Sequence, residues 1–179
     1  MRDEPFGLSQ GAAREARVPD CDMLEQSPHA DFHAAMPTMR HHAGVWEGTY
    51  RHVDADGQVL DSHASRVACE FPDEGPFAYI QRNRFTWEDG RTHEAVLEGT
   101  FRGGRLWWDA PIFHGYAWEH EGVVFLELER KDEPGATMRE AILMGARPGE
   151  REDVRSRTWH WFRDGKLFRR TLVEERRIG

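Results

Sequence analysis

The chain has 179 residues, a length typical of one domain, and its hydrophobic fraction of 39% approaches a globular composition once the 17 glycines are added. Its 7 Trp and 10 Phe suit a β core or a cavity for a flat molecule. The formal net charge of −8 argues against nucleic acids and anionic membranes as partners.

The N-terminal part contains a polar segment followed by a helical pattern. Residues 1–27 are rich in Gly, Pro and charge and lack periodicity, which predicts a flexible arm. Ser27 suits a helix cap and Pro28 suits the first helical position. Three apolar residues then share one helical face: Phe32, Met36 and Met39. We predict one short helix that ends before Gly44.

From Gly44 onward the sequence is a succession of β-like runs separated by turn signals. The predicted strands are 45–53, 58–71, 77–88, 92–101, 105–110, 113–120, 122–130, 136–145, 154–163 and 166–175. The turns are Asp56-Gly57, Asp89-Gly90, Gly103-Gly104, Glu121-Gly122, Pro134-Gly135, Pro148-Gly149 and Asp164-Gly165. About ten strands joined by hairpins predict an all-β, up-and-down antiparallel β-barrel over residues 28–179, because closure removes the edge strands.

Two of the hairpin turns predict which residues share a face. The first hairpin pairs Trp46 with Val67, Gly48 with Ser65, Tyr50 with His63, and His52 with Asp61. A two-residue turn at Asp164-Gly165 pairs Trp161 with Phe168, Trp159 with Arg170, and Arg157 with Leu172. We place the aromatic face of each hairpin inside the barrel.

Two stretches need a further assumption. A two-residue turn at Asp89-Gly90 would pair the aromatic face of run 77–88 with the face of the next run that carries Glu94, Val96 and Glu98. One additional residue in a glycine bulge instead pairs it with the face that carries Leu97 and Gly99, and we predict that bulge. In run 113–120 two alternatives stay open: either His114, Tyr116 and Trp118 face inward, or Phe113, Gly115 and Ala117 do.

The predicted interior is mostly aromatic, with a few polar side chains. These are Tyr50, His63, Tyr79, Gln81, Asn83, Glu140, Arg157 and Arg170. Glu140 lies in a row of alternating apolar residues, where a carboxylate requires a partner, and Arg157 lies at about the right height on the neighbouring strand. Such a pair is either a structural ion pair or the polar anchor of a ligand.

The stretch from His42 to Glu175 resembles an uncharacterised lipocalin-like family related to bacterial calycins. The matching motifs are Gly44-x-Trp46-x-Gly48-x-Tyr50, Tyr79-x-Gln81-x-Asn83, Trp87-Glu88-Asp89-Gly90-Arg91, Leu106-Trp107-Trp108-Asp109 and Arg169-Arg170-Thr171-Leu172. The resemblance implies a lipocalin-like barrel whose floor is closed by Trp46. It leaves the chemistry open, because that fold hosts carriers, chromophore lyases, haem binders and cyclases.

The histidines give weak cofactor signals. His29 and His33 are four residues apart on the predicted helix, but without an HExxH pattern we interpret them as a solvated face and predict no metal site. The adjacent pair His41-His42 is interpreted as an exposed cap. We predict no cofactor; haem, with His114 or His160 as axial ligand, is the less favoured alternative.

The function that we predict is binding of a bulky, largely apolar small molecule, aromatic or polyene, inside the barrel. The predicted ligand contacts are Tyr79, Gln81, Asn83, Trp108, His114, Tyr116, Trp118, Arg157, Trp159 and Arg170. The alternative is a cofactor-independent isomerase, cyclase or lyase of secondary metabolism, with Glu140 or His63 as general acid or base and Tyr50 beside them. A third interpretation is a filled barrel whose surface binds a protein.

The expected compartment is the cytoplasm, as a monomer or homodimer. No apolar run approaches the ~20 residues that span a bilayer, and the first residues lack the apolar stretch of a secretory signal. Cys21 and Cys69 are the only cysteines, and we expect both to be reduced thiols.

Overall fold

The computed structural model describes residues 28–145 and 153–179. Two helices, α1 (Pro28–Ala35) and α2 (Pro37–Arg40), precede ten strands. The strands are β1 (Gly44–Asp54), β2 (Val59–Glu70), β3 (Tyr79–Thr86), β4 (Thr92–Arg102), β5 (Arg105–Asp109), β6 (Phe113–His120), β7 (Val123–Arg130), β8 (Ala136–Met144), β9 (Val154–Arg163) and β10 (Lys166–Arg177). The predicted arm, Cys21 and the predicted turn at Pro148-Gly149 lie outside the described residues.

The ten strands form one closed antiparallel barrel. Each strand pairs with its neighbours in the chain, and β1 pairs with β10 to close the ring. Every predicted strand overlaps one observed strand, so the fold prediction is confirmed. No helix among residues 28–145 and 153–179 is long and apolar enough to cross a membrane.

The helices cover one end of the barrel. Phe32 is buried, with its ring 5.9 Å from that of Phe71 and 5.4 Å from that of Phe101, and Met39 N donates to Glu119 Oε2 at 3.1 Å. Phe71 follows the last residue of β2, and Phe101 and Glu119 lie next to the last residues of β4 and β6. We call this end of the barrel the helix end. The opposite, open end carries the turns after β1, β3 and β9.

The helical segment differs from the prediction in one respect. It is broken at Met36, because Pro37 has no N–H to continue the helix and disfavours a helical conformation in the residue before it. Phe32, Met36 and Met39 are nevertheless all buried against the barrel. The apolar pattern therefore predicted the buried face correctly, and the proline set the break.

The first two hairpin predictions are confirmed. All four predicted pairs between β1 and β2 are observed. Between β3 and β4, Gln81 pairs with Leu97 and Tyr79 with Gly99. The loop has the predicted additional residue: Trp87 N donates to Arg91 O at 3.0 Å, and Gly90 has a φ of +85°, which glycine adopts without strain.

The register predicted for the last hairpin is wrong. A bulge between Leu167 and Arg169 shifts the pairing by one residue, so Trp159 pairs with Thr171 and not with Arg170. Arg170 instead pairs with His160 and shares its outer face, with its Nη2 3.5 Å from Asp54 O. The turn dipeptide alone could not reveal this extra residue.

The open question in β6 is settled by close approach of the backbone. Gly115 and Ala117 are buried on the inner face, and Phe113 packs against the core beside them. A Cβ at position 115 would clash with the main-chain oxygen of Glu127. His114, Tyr116 and Trp118 are therefore directed to the outer face.

Candidate functional site

Four charged side chains lie inside the barrel near its helix end. Glu140 and Arg157 are 1% and 5% exposed, and Arg155 and Glu175 are 2% and 0% exposed. Arg157 Nε donates to Glu140 Oε1 at 2.5 Å, and Arg155 Nε donates to Glu175 Oε2 at 2.5 Å. The two pairs are linked where Arg157 Nη1 lies 3.9 Å from Glu175 Oε2. Two positive and two negative charges make the set neutral, which offsets much of the cost of burial.

The sequence predicted one of these two ion pairs. The strand order brings Arg157 beside Glu140, as expected from their heights on adjacent strands. Arg155 and Glu175 were missed, although each falls on the same alternating inward row as Arg157 or Val173. Continuing the period-2 pattern by one step on β9 leads from Arg157 to Arg155 and could have found it. On β10 the predicted inward row of Arg170 and Leu172 leads to Glu174, so Glu175 could be found only once the bulge was known.

Tyr50 extends this set toward the open end. Arg157 Nη1 donates to Tyr50 Oη at 2.8 Å. Burial lowers the pKa of Arg157, but Glu140, Tyr50 and Glu175 outweigh it and raise that pKa overall. Burial raises the pKa of Tyr50 well above its usual range, so the phenol stays protonated. Its proton has no acceptor among the described residues, because the bond to Arg157 uses only an oxygen lone pair.

Residues 79, 81 and 83 of β3 form a hydrogen-bonded row on the inner wall. Tyr79 Oη lies 2.8 Å from Gln81 Oε1 and 3.1 Å from Cys69 Sγ. Gln81 Nε2 donates to Asn83 Oδ1 at 2.7 Å. All three are buried, and burial raises the pKa of the Tyr79 phenol. The row is therefore a second group of buried polar side chains inside the barrel, beside the two ion pairs.

His42 corrects a sequence interpretation. His41 is exposed as expected, but His42 is 1% exposed and lies inside the helix end of the barrel. Its Nδ1 is 3.2 Å from Arg155 Nη1, and Arg155 also stacks over the Trp46 ring at 4.5 Å. Burial, followed by the charge of Arg155, lowers the pKa of His42 well below its usual value, so the imidazole is neutral. Its Nδ1 can then accept a hydrogen bond from Arg155.

Several inward polar atoms have no hydrogen-bond partner within the described part of the chain. They are His42 Nε2, Ser65 Oγ, Trp108 Nε1, Arg155 Nη2, Trp159 Nε1 and Glu175 Oε1. The donor atoms of this set are Trp108 Nε1 on β5 and Arg155 Nη2 and Trp159 Nε1 on β9, and these two strands lie four strands apart around the ring. We call these six the lumen atoms.

A second group, the rim cluster, lies at the open end and consists of His52, Asp61, His63 and Trp87. His63 Nδ1 lies 3.0 Å from Asp61 Oδ2, and Trp87 Nε1 donates to both oxygens of Asp61 at 3.0 and 3.1 Å. Slight burial raises the pKa of Asp61, but the bonds from Trp87 and His63 outweigh it and lower that pKa.

The rings of His52 and His63 lie 5.3 Å apart within this cluster, and each has a further contact outside it. His52 Nδ1 lies 2.8 Å from Thr171 Oγ1, and burial together with Arg169 lowers the pKa of His52 to about 4. The ring of His63 stacks on that of Tyr50, with centroids 5.5 Å apart. Tyr50 therefore connects the rim cluster to Arg157.

Several predicted ligand contacts lie outside the barrel. Tyr116 and Trp118 belong to an outer row of four rings in the order Trp107, Tyr116, Trp118, Phe125. The centroids of successive rings in this row are 5.0, 5.7 and 5.6 Å apart. His114 is exposed near Glu129 and borders a groove of about 620 Å³ beside β4–β6. Arg170 and His160 are also directed to the outer face. Neither His114 nor His160, the two histidines of the haem alternative, therefore reaches the interior.

The remaining predicted contacts face inward together. They are Tyr79, Gln81, Asn83, Trp108, Arg157 and Trp159, along with Tyr50, His63 and Glu140 of the enzyme alternative. Their contact with a ligand stays a prediction.

Comparisons with known proteins give structural likeness only, since neither a family model nor a curated protein matches the sequence. The S-type phycobiliprotein lyase CPES of Guillardia theta is 13% identical with a TM-score of 0.63, over 86% of this chain and 98% of that one. Rv2717c of M. tuberculosis is 12% identical with a TM-score of 0.54, over 80% and 97%.

A third neighbour is longer than this chain. A protein of unknown function from the DUF3598 family of Nostoc punctiforme is 18% identical with a TM-score of 0.56, over 78% of this chain. The match spans about half of that protein, 49% of its length. At these identities the likenesses show the fold alone, that of a β-barrel.

Proposed function

We propose that the protein binds a bulky, conjugated and largely apolar small molecule, aromatic or polyene, inside the barrel. The observation that carries this proposal is the set of lumen atoms, six buried polar atoms without a partner among the described residues. A buried donor or acceptor left unpaired costs about 1–3 kcal/mol, and native interiors leave few of them. A polar group from outside the chain, on a ligand or a water molecule, would complement them, and this supports the proposal.

The lumen atoms indicate the chemistry of the ligand. The indole N–H groups of Trp108 and Trp159 and the Nη2 of Arg155 are donors, and a carbonyl or carboxylate oxygen complements each of them. Glu175 Oε1 is an acceptor and suits an N–H or O–H group. A conjugated skeleton with such groups at its edges fits this arrangement better than a simple hydrocarbon does.

The rings of the interior favour a flat ligand. The ring centroid of Tyr50 lies 5.1 Å from that of Phe85 and 5.4 Å from that of Trp159. The ring centroids of Trp159 and Trp161 are 5.8 Å apart. Offset and edge-on contacts of this kind extend readily to another planar system. Because the helices cover the other end, we place the entrance at Phe85 and Trp159, which are only half-buried.

The rim of the open end and one structural neighbour add support. Val59, Leu60 and Leu167 are exposed apolar residues at or near the turns of that end. The Guillardia theta neighbour is described as a phycobiliprotein lyase, so a barrel of this shape serves a pigment-bearing protein elsewhere.

The test is a fluorescence titration of the full chain with a panel of conjugated carboxylates and carbonyl compounds, after mass spectrometry of any small molecule that co-purifies. Trp159→Phe keeps a ring but removes the indole donor, and about 1 kcal/mol per hydrogen bond predicts roughly fivefold weaker binding. Trp118→Phe, on the outer face, is the matched control. The proposal fails if no compound binds, or if both variants weaken binding equally.

The enzyme alternative retains one supporting observation. The bond from His63 Nδ1 to Asp61 orients an imidazole beside Tyr50, as an acid-base group requires. Glu140 is less suited to that role, because Arg157 already holds its Oε1. Turnover of a bound compound that His63→Asn abolishes, while binding persists, would favour the enzyme over the carrier.

A further inference from the structure

The rim cluster brings together three side chains that commonly bind metals. His52 and Asp61 are direct partners across β1 and β2, and His63 lies two residues beyond Asp61 on the same inward row. One ligand atom from each of the three lies within 4.8 Å of the others. No sequence motif marks them, because the spacing arises from the strand pairing.

The distances are close to those of a coordination sphere. Metal bonds of about 2.0–2.1 Å in a tetrahedral zinc site place neighbouring ligand atoms roughly 3.3 Å apart. Asp61 Oδ2 and His63 Nδ1 are already 3.0 Å apart. His52 lies near the end of β1 and offers a ligand atom within 4.8 Å of the other two, so a small adjustment of its ring about the Thr171 contact completes the set.

The surroundings hold the ligands in the way that metal sites do. Trp87 Nε1 fixes the Asp61 carboxylate, and Thr171 Oγ1 holds His52 Nδ1, which leaves Nε2 of His52 for a metal. Trp161 Nε1 in turn donates to Thr171 Oγ1 at 3.0 Å. Such outer contacts orient the ligands and strengthen binding.

The charges around the cluster permit a divalent ion but limit its affinity. Asp61 contributes one negative charge, and the Arg169 guanidinium, which stacks on Trp161 at 4.4 Å, opposes it near His52. Two imidazoles and one carboxylate with open positions suit Zn²⁺ or Fe²⁺.

We propose that His52, Asp61 and His63 bind one divalent transition-metal ion, Zn²⁺ or Fe²⁺, at the open end of the barrel. This site is independent of the ligand proposed above, since it shares none of the six lumen atoms.

The experiment is calorimetric titration of Zn²⁺ into the EDTA-treated, buffer-exchanged full chain, with the visible absorption of Co²⁺ as a second readout. We expect one equivalent to bind, and His52→Ala, His63→Ala and Asp61→Asn each to weaken binding at least tenfold. Control variants are His114→Ala on the outer face and the double variant His29→Ala/His33→Ala on α1.

Far-UV circular dichroism of each metal-free variant checks its fold. If His63→Ala does not fold, His52→Ala decides, because His52 is half-buried and lies near the end of β1. The proposal is overturned if the wild type binds no stoichiometric Zn²⁺, if the rim variants bind as the wild type does, or if binding is lost with His29 and His33 instead.

Discussion

Arg157 and Glu140 form an ion pair at 2.5 Å in which both side chains are almost wholly buried, at 5% and 1% exposure. Arg157 also donates to Tyr50 and lies 3.9 Å from Glu175, so one guanidinium serves three partners on three strands. This single side chain therefore ties β1, β8 and β10 to β9 at the point where the barrel closes.

Removing one member of this pair should be costly. We expect Arg157→Met to lower the free energy of unfolding by about 3–5 kcal/mol, because it leaves Glu140 buried without its counter-ion. Urea unfolding measures the effect. The double variant Arg157→Met/Glu140→Leu should recover much of the loss.

A surface pair supplies the control for that experiment. Arg66 and Glu47 form an ion pair at 2.5 Å with both side chains about half exposed, at 55% and 49%. Arg66→Ala should cost no more than about 1 kcal/mol. Equal losses for Arg157→Met and Arg66→Ala would contradict the role given to burial.

Two strand glycines should differ in their tolerance of a methyl group. A Cβ at Gly48 would clash with the main-chain oxygen of Glu174, whereas one at Gly99 first meets the tip of the Leu106 side chain at 2.9 Å. A backbone cannot yield as a leucine can, so Gly48→Ala should destabilise by about 3 kcal/mol or more and Gly99→Ala by clearly less. Thermal unfolding of both variants provides the measurement. Similar losses would show that β1 and β10 separate more easily than their pairing suggests.

The Cys69 thiol should be unreactive in the native protein. It is free, 3% exposed, and enclosed by Tyr79 and Arg155. In a Cys21→Ser background, a thiol reagent should label almost no protein under native conditions and one thiol per chain in denaturant. Rapid native labelling would mean that the helix end of the barrel opens readily.

The fold was predictable because its signals are local. Turn residues such as Gly57 and Gly90 and the alternation of each run indicate strands, and strands joined by hairpins leave few architectures. The bulge before Arg169 was not predictable, since it adds a residue inside a strand with no glycine or proline to mark it. That one shift moved Arg170 from the predicted interior to the outer face.

The site was only partly predictable for a related reason. Glu140 stood out as a charge in an apolar row, whereas His42 lies outside the strand pattern and is buried only because α2 folds over the barrel end. The rim cluster depends on the pairing of His52 with Asp61, which the first hairpin did predict. The same hairpin also placed His63 two residues from Asp61 on that face, whereas the contacts with Trp87 and Thr171 required the three-dimensional arrangement.

The buried histidine should make stability depend on pH in a defined direction. Burial and Arg155 lower the pKa of His42 far below the value of about 6.5 in an unfolded chain. The unfolded state therefore binds a proton first as the pH falls, so stability is full above about pH 6.5 and declines below it. The slope from His42 is at most about 1.4 kcal/mol per pH unit. His52, with a pKa of about 4, contributes in the same direction down to about that pH.

Urea unfolding at pH 7 and pH 5 tests this for His42→Asn against the wild type. The variant should be less stable than the wild type at pH 7, because the smaller side chain leaves a void where the buried imidazole packed. It should nevertheless lose less stability between the two pH values. His114→Asn, on the outer face, should retain the wild-type difference. If the free energy of unfolding of His42→Asn changes between pH 7 and pH 5 as much as that of the wild type does, the prediction is wrong. His42 would then take up its proton in the folded state, beside the charges of Arg155 and Arg157.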